Sequence, residues 1–371
     1  MTVLAGSERF GAYEAYDRGV HVVHLASRRN PYWPANPVPM HTLEALEIAV
    51  ARERPDIIHA HDALPFLLQL TRARGRFTAP VMATCHYYPS FVASYLADAE
   101  MTQEMVERIA WRYTIGLYDR VDEVVFATRT HRDSFRRHGL TSSTHVISNG
   151  VDTRRYSPAV PPLDLTLRYG VPDGPRVLAV GRLAQDKDLE VLIGAMATLR
   201  QQVPARLLLV GEGPHREALE SAAHEAGVAS SVHFLGFVPE DDLPALYRAC
   251  DAFAISSNHE VQSLPALQAA ATGLPIVAAD QGALHEICRD GENGILVNTE
   301  SPAEWAAALR AVLEPDVKDR MGQAGLLLAQ EHDEHATFAR YEALYRQSLS
   351  LKPGPDRSEV APRQETAPAA R

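Results

Sequence analysis

Residues 252–273, AFAISSNHEVQSLPALQAAATG, contain a strand, a polar loop and a helix in direct succession. The four apolar residues Ala252–Ile255 are typical of a strand in a sheet that is covered on both faces. Ser263 suits an N-cap, Pro265 suits the first helical turn, and Gly273 suits the position just after the helix. The stretch therefore predicts one strand–loop–helix unit of an α/β sheet.

The same unit recurs along the chain, because short apolar runs alternate with helical patterns such as Leu43–Arg54 and Thr102–Leu117. In the first half the predicted strands are Thr2–Leu4, Val20–Leu25, Ile57–His59, Val81–Thr84, Glu123–Ala127 and Thr144–Ile147. In the second half they are Val177–Val180, Leu207–Val210, Val232–Leu235, Ala252–Ile255, Ile276–Ala279 and Ile295–Val297. This alternation predicts an α/β fold made of doubly wound, Rossmann-like domains.

The length of 371 residues fits two such domains. The segment 157–174 lacks a core pattern and contains Pro158, Pro161, Pro162 and Pro172. We expect an N-terminal domain at 1–157, a second domain at 171–330 and a final amphipathic helix within 331–350. Residues 351–371 are rich in Pro, Ala, Glu and Arg, which predicts a disordered tail.

Composition excludes several classes of protein. With 46% hydrophobic and 22% charged residues the chain reads as globular, and its net charge of −11 argues against a nucleic-acid partner. No apolar run approaches the roughly 18 residues that span a bilayer. The separated cysteines Cys85, Cys250 and Cys288 predict no disulfide framework and favour a cytoplasmic location. Peripheral contact with a membrane stays open.

Chemistry is expected in the loops after strands, because ligands of open α/β sheets bind at the carboxyl ends of the strands. Gly181 and Arg182 directly follow Val177–Val180, and Lys187 lies in the same loop. Two cations in one loop suit a diphosphate group, whose negative charge they would stabilise. The alternative is a solvated basic loop. Gly211 begins a Gly-x-Gly motif after the next strand, which alone is a weak signal.

The loop quoted first carries a second set of candidates. Free N–H groups near Val261 to Leu264 would form an anion site at a helix N-terminus. Glu260 can accept hydrogen bonds from sugar hydroxyls, and Gln268 can bond a ribose. The alternative for Glu260 is a purely electrostatic partner of the helix end.

Taken together, several stretches resemble the retaining glycosyltransferases of family four. They are GRLAQDKDLEVLIGA (181–195), LLLVGEGP (207–214), VHFLGFVPEDDLPALYRACD (232–251), SSNHEVQSLPALQAAATGLPIVAAD (256–280) and HEICRDGENGILV (285–297). PDIIHAHD (55–62) and ISNGVDTRRYSP (147–158) are also similar to that family. The resemblance extends to about Leu349 and implies the GT-B fold, in which two Rossmann-like domains face each other across a cleft. It also implies that the final helix packs back toward the N-terminal domain.

The resemblance implies roles for individual residues. Arg182 and Lys187 match the diphosphate clamp, and Glu260 matches the first glutamate of the E-x7-E motif, which contacts the donor sugar. Backbone N–H groups of Ser263 and Leu264 would meet the phosphates. A further set completes the expected site: Gly181 and Gly211 at the strand ends, Phe237 and Val238 beside the base, and His86 in the cleft of the N-terminal domain.

The sequence departs from the family pattern at two places. Gln268 stands where the family has its second glutamate, so donor affinity or identity is in question. Residues 1–6, MTVLAG, look like the family's second strand, so we expect the N-terminal domain to lack the first strand and the glycine-rich loop. One hypothesis is that Met1 is an internal start, and the other is a natural truncation.

A metal site is considered at His59-x-His61-Asp62, where two histidines and a carboxylate follow one another. No third convergent ligand is evident in the sequence, so lining of the cleft or local hydrogen bonding is the preferred interpretation. The family resemblance also implies catalysis without a bound metal. We therefore expect no metal and no cofactor besides the donor.

The expected function is metal-independent transfer of a hexose from a UDP- or GDP-sugar to an acceptor hydroxyl, with retention of configuration. The stretches 260–264 and 86–89 look closest to branches that glycosylate lipids, so a glycolipid or polysaccharide precursor is the expected acceptor. Residues 102–117, with Arg108, Trp111, Arg112 and Tyr113, and residues 136–138 form a candidate membrane face or a solvated helix face. One alternative function is a non-catalytic nucleotide-sugar-binding or partner subunit. Another is a phosphorylase-like use of the same cleft, which would require inorganic phosphate.

Overall fold

The computed structural model describes residues 1–29, 37–61, 66–90, 100–298 and 300–351. Asp62 of the considered metal motif and the tail that the sequence predicts beyond Leu351 lie outside these ranges.

Fifteen strands and twelve α-helices are assigned within the described residues. The strands are β1 (Thr2–Gly6), β2 (Tyr13–Asp17), β3 (Val20–Leu25), β4 (Ser27–Arg28), β5 (Val38–Pro39), β6 (Ile58–His61), β7 (Val81–Cys85), β8 (Glu123–Phe126), β9 (Ser143–Val146), β10 (Arg176–Val180), β11 (Arg206–Val210), β12 (Val232–Gly236), β13 (Ala252–Ile255), β14 (Ile276–Ala279) and β15 (Gly294–Val297). The helices are α1 (Thr42–Glu53), α2 (Phe66–Ala73), α3 (Glu100–Tyr118), α4 (Arg129–Arg137), α5 (Leu165–Tyr169), α6 (Leu189–Leu199), α7 (Arg216–Glu225), α8 (Leu243–Arg248), α9 (Leu264–Ala271), α10 (Pro302–Val312), α11 (Pro315–Glu331) and α12 (Glu334–Leu351).

The second half of the chain forms one six-stranded parallel sheet in the order β12-β11-β10-β13-β14-β15. Its central strands are buried along their length, and Leu178, Leu208 and Phe253 are completely inaccessible to solvent. Such strands read as continuous apolar runs because helices cover both faces. The strand order reverses between β10 and β13, and the loops after these two strands therefore lie side by side at the crevice where ligands bind.

The first half contains a four-stranded parallel sheet, β6-β7-β8-β9, and a three-stranded sheet, β1-β3-β2. The predicted strands at Thr2–Leu4 and Val20–Leu25 pair in parallel, but β2 pairs with β3 antiparallel and was not predicted. The strands were predicted from short apolar runs, and the residues of β2, YEAYD, do not form one. The overlooked signal is the two-residue turn Arg18–Gly19, where both φ angles are positive, as a tight hairpin requires.

The last helix, α12, lies against the N-terminal sheet. Leu344 is packed with Met82 of β7 and Val125 of β8, and the Tyr345 hydroxyl lies 2.7 Å from Nδ1 of His59. Because α12 follows the C-terminal domain in sequence, this packing joins the two halves of the molecule.

No helix within the described residues combines the length and the apolar character that a membrane span needs.

The packing of α12 predicts unequal costs for two leucine substitutions in this helix. Leu344 is 4% exposed and Leu349 is 42% exposed. We expect Leu344→Ala to lower the free energy of unfolding by about 2–5 kcal/mol, since it leaves a cavity against the sheet. Leu349→Ala, the matched control, should cost far less. Urea unfolding measures both, and equal costs would contradict the described packing.

Candidate functional site

A cavity of about 300 Å³ opens at the carboxyl edge of the C-terminal sheet. The predicted site residues that line it are Gly181, Arg182, Lys187, Glu260, Ser263 and Leu264. The structure thus brings together the loop after β10 and the loop after β13, which are far apart in sequence. Neighbouring parallel strands cause this juxtaposition, since β10 and β13 are hydrogen-bonded to each other.

An ion pair joins the two loops. Nζ of Lys187 lies 2.7 Å from Oε1 of Glu260 and 3.4 Å from Oγ of Ser257. The Lys187 and Glu260 side chains are only 22% and 16% exposed, so solvent screens the pair weakly. An ammonium group held in this position can donate to phosphate oxygens, and a carboxylate can accept from hydroxyl groups.

The second cation, Arg182, is more open to solvent. Its side chain is 49% exposed, and Nη2 lies 3.3 Å from Oδ2 of Asp186. Asp186 also lies 3.7 Å from Nζ of Lys187, so one carboxylate stands between the two cations. A ligand with two negative groups could bind both cations.

Gly211 does not line the cavity but packs against the backbone of Gly181, where the loop after β10 begins. Its φ is +128°, and a Cβ atom there would lie 1.9 Å from the carbonyl oxygen of Gly181. No residue with a side chain fits this contact. The glycine therefore allows the backbones after β10 and β11 to approach each other.

The N-terminus of α9 points at the same cavity. Ser263 is its N-cap, and Oγ of Ser263 accepts a hydrogen bond of 3.2 Å from the Ala266 N–H. Pro265 occupies the first turn, as the sequence predicted. The partial positive charge of a helix N-terminus favours an anion at this position.

Besides Gly211, three of the expected donor-side residues do not line the cavity. Oε1 of Gln268 accepts a hydrogen bond of 3.1 Å from the hydroxyl of Tyr247, which is fully buried. Phe237 is 74% exposed directly after β12, whereas Val238 is 4% exposed and belongs to the core. The role of Gln268 at the ribose and the roles of Phe237 and Val238 beside the base stay predictions.

His86 lies in the N-terminal domain, directly after β7. Its Nε2 is 3.0 Å from Nδ1 of His61, and the two rings are stacked. His61 also stacks on His59, whose Nε2 is 2.7 Å from Oγ1 of Thr84. Burial lowers the pKa of His59 to about 3, so this ring is neutral at physiological pH.

The described residues contain no group of three or more His, Cys, Asp or Glu side chains placed to hold a metal ion. Ring stacking and hydrogen bonding instead connect the imidazole rings of His59, His61 and His86.

Hydrogen bonds join the carboxyl edges of the two sheets, and the residues that form them were not among the predicted site residues. Oγ1 of Thr128, after β8, donates to the carbonyl oxygen of Val261 at 2.9 Å. Gln262 is 7% exposed, and its amide bonds the backbone of Ala127 and Asn149. The position of Gln262 between Glu260 and the N-cap was the available signal, but its partners are visible only in the folded chain.

Comparison with known proteins agrees with this geometry. One family profile, described as Glycosyltransferase Family 4, matches residues 1–155, and a second, described as Glycosyl transferases group 1, matches residues 174–315. The D-inositol 3-phosphate glycosyltransferase of Corynebacterium efficiens is 32% identical over 310 residues, which are 80% of this chain and 72% of that protein.

Solved structures share the fold at lower identity. Sucrose-phosphate synthase from Thermosynechococcus elongatus aligns with a TM-score of 0.74 and 23% identity, over 92% of this chain and 86% of that chain. Anabaena HepE in complex with UDP-glucose aligns with a TM-score of 0.72 and 22% identity, over 90% and 87% of the two chains. Two Rossmann-like domains that meet at their carboxyl edges form the GT-B fold. The chain belongs to glycosyltransferase family 4, which confirms the resemblance seen in its sequence.

The buried state of His59 predicts a pH dependence of stability. In the unfolded chain His59 takes up a proton near pH 6.5, whereas in the folded protein it does so only near pH 3. Between these values the unfolded state holds the extra proton, so the free energy of unfolding falls as the pH is lowered. One such group accounts for at most about 1.4 kcal/mol per pH unit.

Urea unfolding between pH 6.5 and 4 tests this prediction. We expect His59→Gln to have a shallower loss of stability with falling pH than the wild type. His224→Gln removes an exposed histidine of α7 and is the control. An identical pH slope in the His59→Gln variant and the wild type would contradict the assignment.

Proposed function

We propose that this glycosyltransferase transfers a hexose from a UDP- or GDP-sugar to an acceptor hydroxyl with retention of configuration. The observation that carries the proposal is the cluster of Arg182, Lys187 and Glu260 at the N-terminus of α9. This cluster offers cations and helix N–H groups for a diphosphate, and a carboxylate for sugar hydroxyls. The complex of HepE with UDP-glucose, a protein of the same fold, supports a nucleotide-sugar donor.

The proposed reaction begins with loosening of the bond between the anomeric carbon and the diphosphate oxygen. Lys187 and Arg182 exchange their carboxylate partners for phosphate oxygens and stabilise the departing negative charge. Glu260, released from Lys187, accepts hydrogen bonds from the sugar. The acceptor oxygen bonds the anomeric carbon on the face that the diphosphate leaves, and a diphosphate oxygen takes the acceptor proton. No protein nucleophile and no metal take part in this scheme.

His86 is proposed to approach the donor sugar from the opposite domain. It follows β7, the strand beside β8, and the residues after β8 already contact the loop that contains Glu260. Closure of the cleft would exclude water, which would otherwise compete with the acceptor.

For the acceptor we propose a hydroxyl of a polyol phosphate, a glycolipid precursor or a polysaccharide precursor. The name of the Corynebacterium relative makes D-inositol 3-phosphate the first compound to test. A peripheral membrane contact and a cytoplasmic location belong to the same proposal. Met105, Ile109 and Tyr113 form the exposed apolar stripe of α3 that would face lipid.

Trp111 does not belong to that stripe. The sequence predicts Trp111 in the candidate membrane face, but this side chain is 6% exposed and stacks on His138. A helix that carries apolar residues on two sides buries one side in the domain, and Trp111 lies on the buried side.

The second candidate function is a non-catalytic nucleotide-sugar-binding or partner subunit. It is favoured by Gln268, whose side-chain oxygen is already bonded to Tyr247 and whose amide lacks the charge of the family's glutamate. Release of nucleotide from a donor distinguishes the two functions, because a binding subunit retains the donor intact.

The central prediction concerns Lys187. We expect Lys187→Ala to lower the rate of sugar transfer about a hundredfold or more, since the departing diphosphate loses a preorganised cation. A screen of UDP- and GDP-sugars with D-inositol 3-phosphate and lipid acceptors provides the assay, and the anomeric coupling constant in the proton NMR spectrum reports retention.

Lys318→Ala is the matched control, because Lys318 pairs with Asp251 at the opposite edge of the same sheet. Unchanged transfer in Lys187→Ala would contradict the proposed clamp. Donor binding without turnover across the whole screen would favour the non-catalytic function.

A further prediction concerns Gln268. We expect Gln268→Glu to bind UDP about three- to tenfold more tightly, because one carboxylate oxygen can keep the Tyr247 bond while the charged group accepts more strongly from ribose hydroxyls. Isothermal titration calorimetry with UDP measures this change, and the exposed Gln201→Glu is the control. Weaker binding in Gln268→Glu would place the ribose elsewhere.

A further inference from the structure

The carboxylate of Glu286 connects the two domains. Glu286 ends the short helix Gly282–Glu286 of the C-terminal domain. Its Oε1 accepts a hydrogen bond of 2.6 Å from the N–H of Thr130, and its Oε2 accepts one of 3.0 Å from the N–H of Arg129. Both N–H groups belong to the first turn of α4, in the N-terminal domain.

This contact completes the hydrogen bonding of the first turn of α4. The N-cap Thr128 accepts from the N–H of His131, while its own hydroxyl donates to Val261 of the other domain. A negative charge at a helix N-terminus is favourable because it meets unpaired N–H groups and the positive end of the helix dipole. Hydrogen bonds to residues of the C-terminal domain therefore fix the position of the N-terminus of α4.

The same turn of α4 holds the loop that contains His86. His131 is completely buried, and its Nε2 lies 3.1 Å from the carbonyl oxygen of Tyr87. Burial lowers the pKa of His131 to about 3, so the ring is neutral and Nε2–H is the donor. The His131 ring also packs against Tyr88 at 4.4 Å. A shift of α4 therefore moves the backbone on the carboxyl side of His86.

The other end of the short helix lies beside the donor cavity. Gly282, its first residue, has a φ of +54°, and a Cβ atom there would stand 3.7 Å from the carbonyl oxygen of Glu260. One short segment thus lies close to the backbone of Glu260 at its start and bonds the N-terminus of α4 at its end.

We propose that Glu286 is a positioning residue of the transfer reaction, which acts through α4 and His131 to set His86 against the donor bound at Glu260. The inference rests on the proposed function. Glu286 does not touch the substrate in this scheme. Its carboxylate fixes the relative position of two groups that belong to different domains.

Glu286→Gln tests the inference with little change in shape. The amide keeps one acceptor oxygen but turns an NH₂ group toward an N–H, so one hydrogen bond and the charge are lost. With the donor that the wild type turns over, we expect kcat to fall about tenfold, the effect of losing a charge-assisted hydrogen bond. The affinity for UDP should stay within about twofold, since Arg182 and Lys187 are untouched.

Three further measurements on variants distinguish a positioning role of Glu286 from a general disturbance of the structure. Glu286→Asp keeps the charge and should recover part of kcat. Glu331→Gln, the matched control, removes a carboxylate that pairs with Arg289 and should leave kcat unchanged. In a double-mutant cycle, His131→Gln and Glu286→Gln should be non-additive in kcat, because they act in series.

Amide hydrogen exchange tests the coupling independently of activity. In Glu286→Gln we expect faster exchange both in residues 129–135 and in residues 85–88. Faster exchange in 129–135 alone would overturn the inference, and so would a loss of UDP affinity in proportion to kcat. If no donor is turned over by the wild type, the proposed function fails, and the exchange result still decides whether Glu286 controls the loop of His86.

Discussion

The ion pair between Lys187 and Glu260 is the interaction on which the organisation of the candidate site depends. It joins the loop after β10 to the loop after β13, and both loops exist at this place because the strand order reverses between those strands. A partly buried ion pair contributes little to stability, since desolvation of the two charges offsets their attraction. In the proposed reaction the donor would separate the pair, because a phosphate would take the place of Glu260 at Lys187 and sugar hydroxyls would take the place of Lys187 at Glu260.

Backbone packing allows that ion pair to form at the edge of the sheet. Gly211 lets the chain after β11 lie directly against the carbonyl of Gly181, which fixes the start of the loop that carries Arg182 and Lys187. The N-cap Ser263 then fixes where α9 begins, and so where its N–H groups point. The two cations and the helix end therefore meet in one place.

The two domains are joined by polar contacts between their carboxyl edges and by the packing of α12. Gln262 and Thr128 bond backbone groups of the opposite domain, and α12 buries Leu344 against the N-terminal sheet. The polar contacts of Gln262 and Thr128 involve the residues that follow Glu260 in the chain. They could be exchanged during opening of the cleft at a small cost in free energy, whereas the apolar packing of α12 would persist.

Local sequence patterns predict the α/β class, all six strands of the C-terminal sheet and the loops that carry Gly181, Lys187 and Glu260, because buried parallel strands and helix caps depend on neighbouring residues in the chain. They did not reveal β2, since YEAYD is a polar strand that is stabilised by pairing with β3. The folded chain alone reveals that Gln268 bonds Tyr247, that Trp111 is buried, and that Gln262 and Glu286 bridge the domains. Those contacts join residues far apart in the chain, so their partners are chosen by the packing of whole domains rather than by any local pattern.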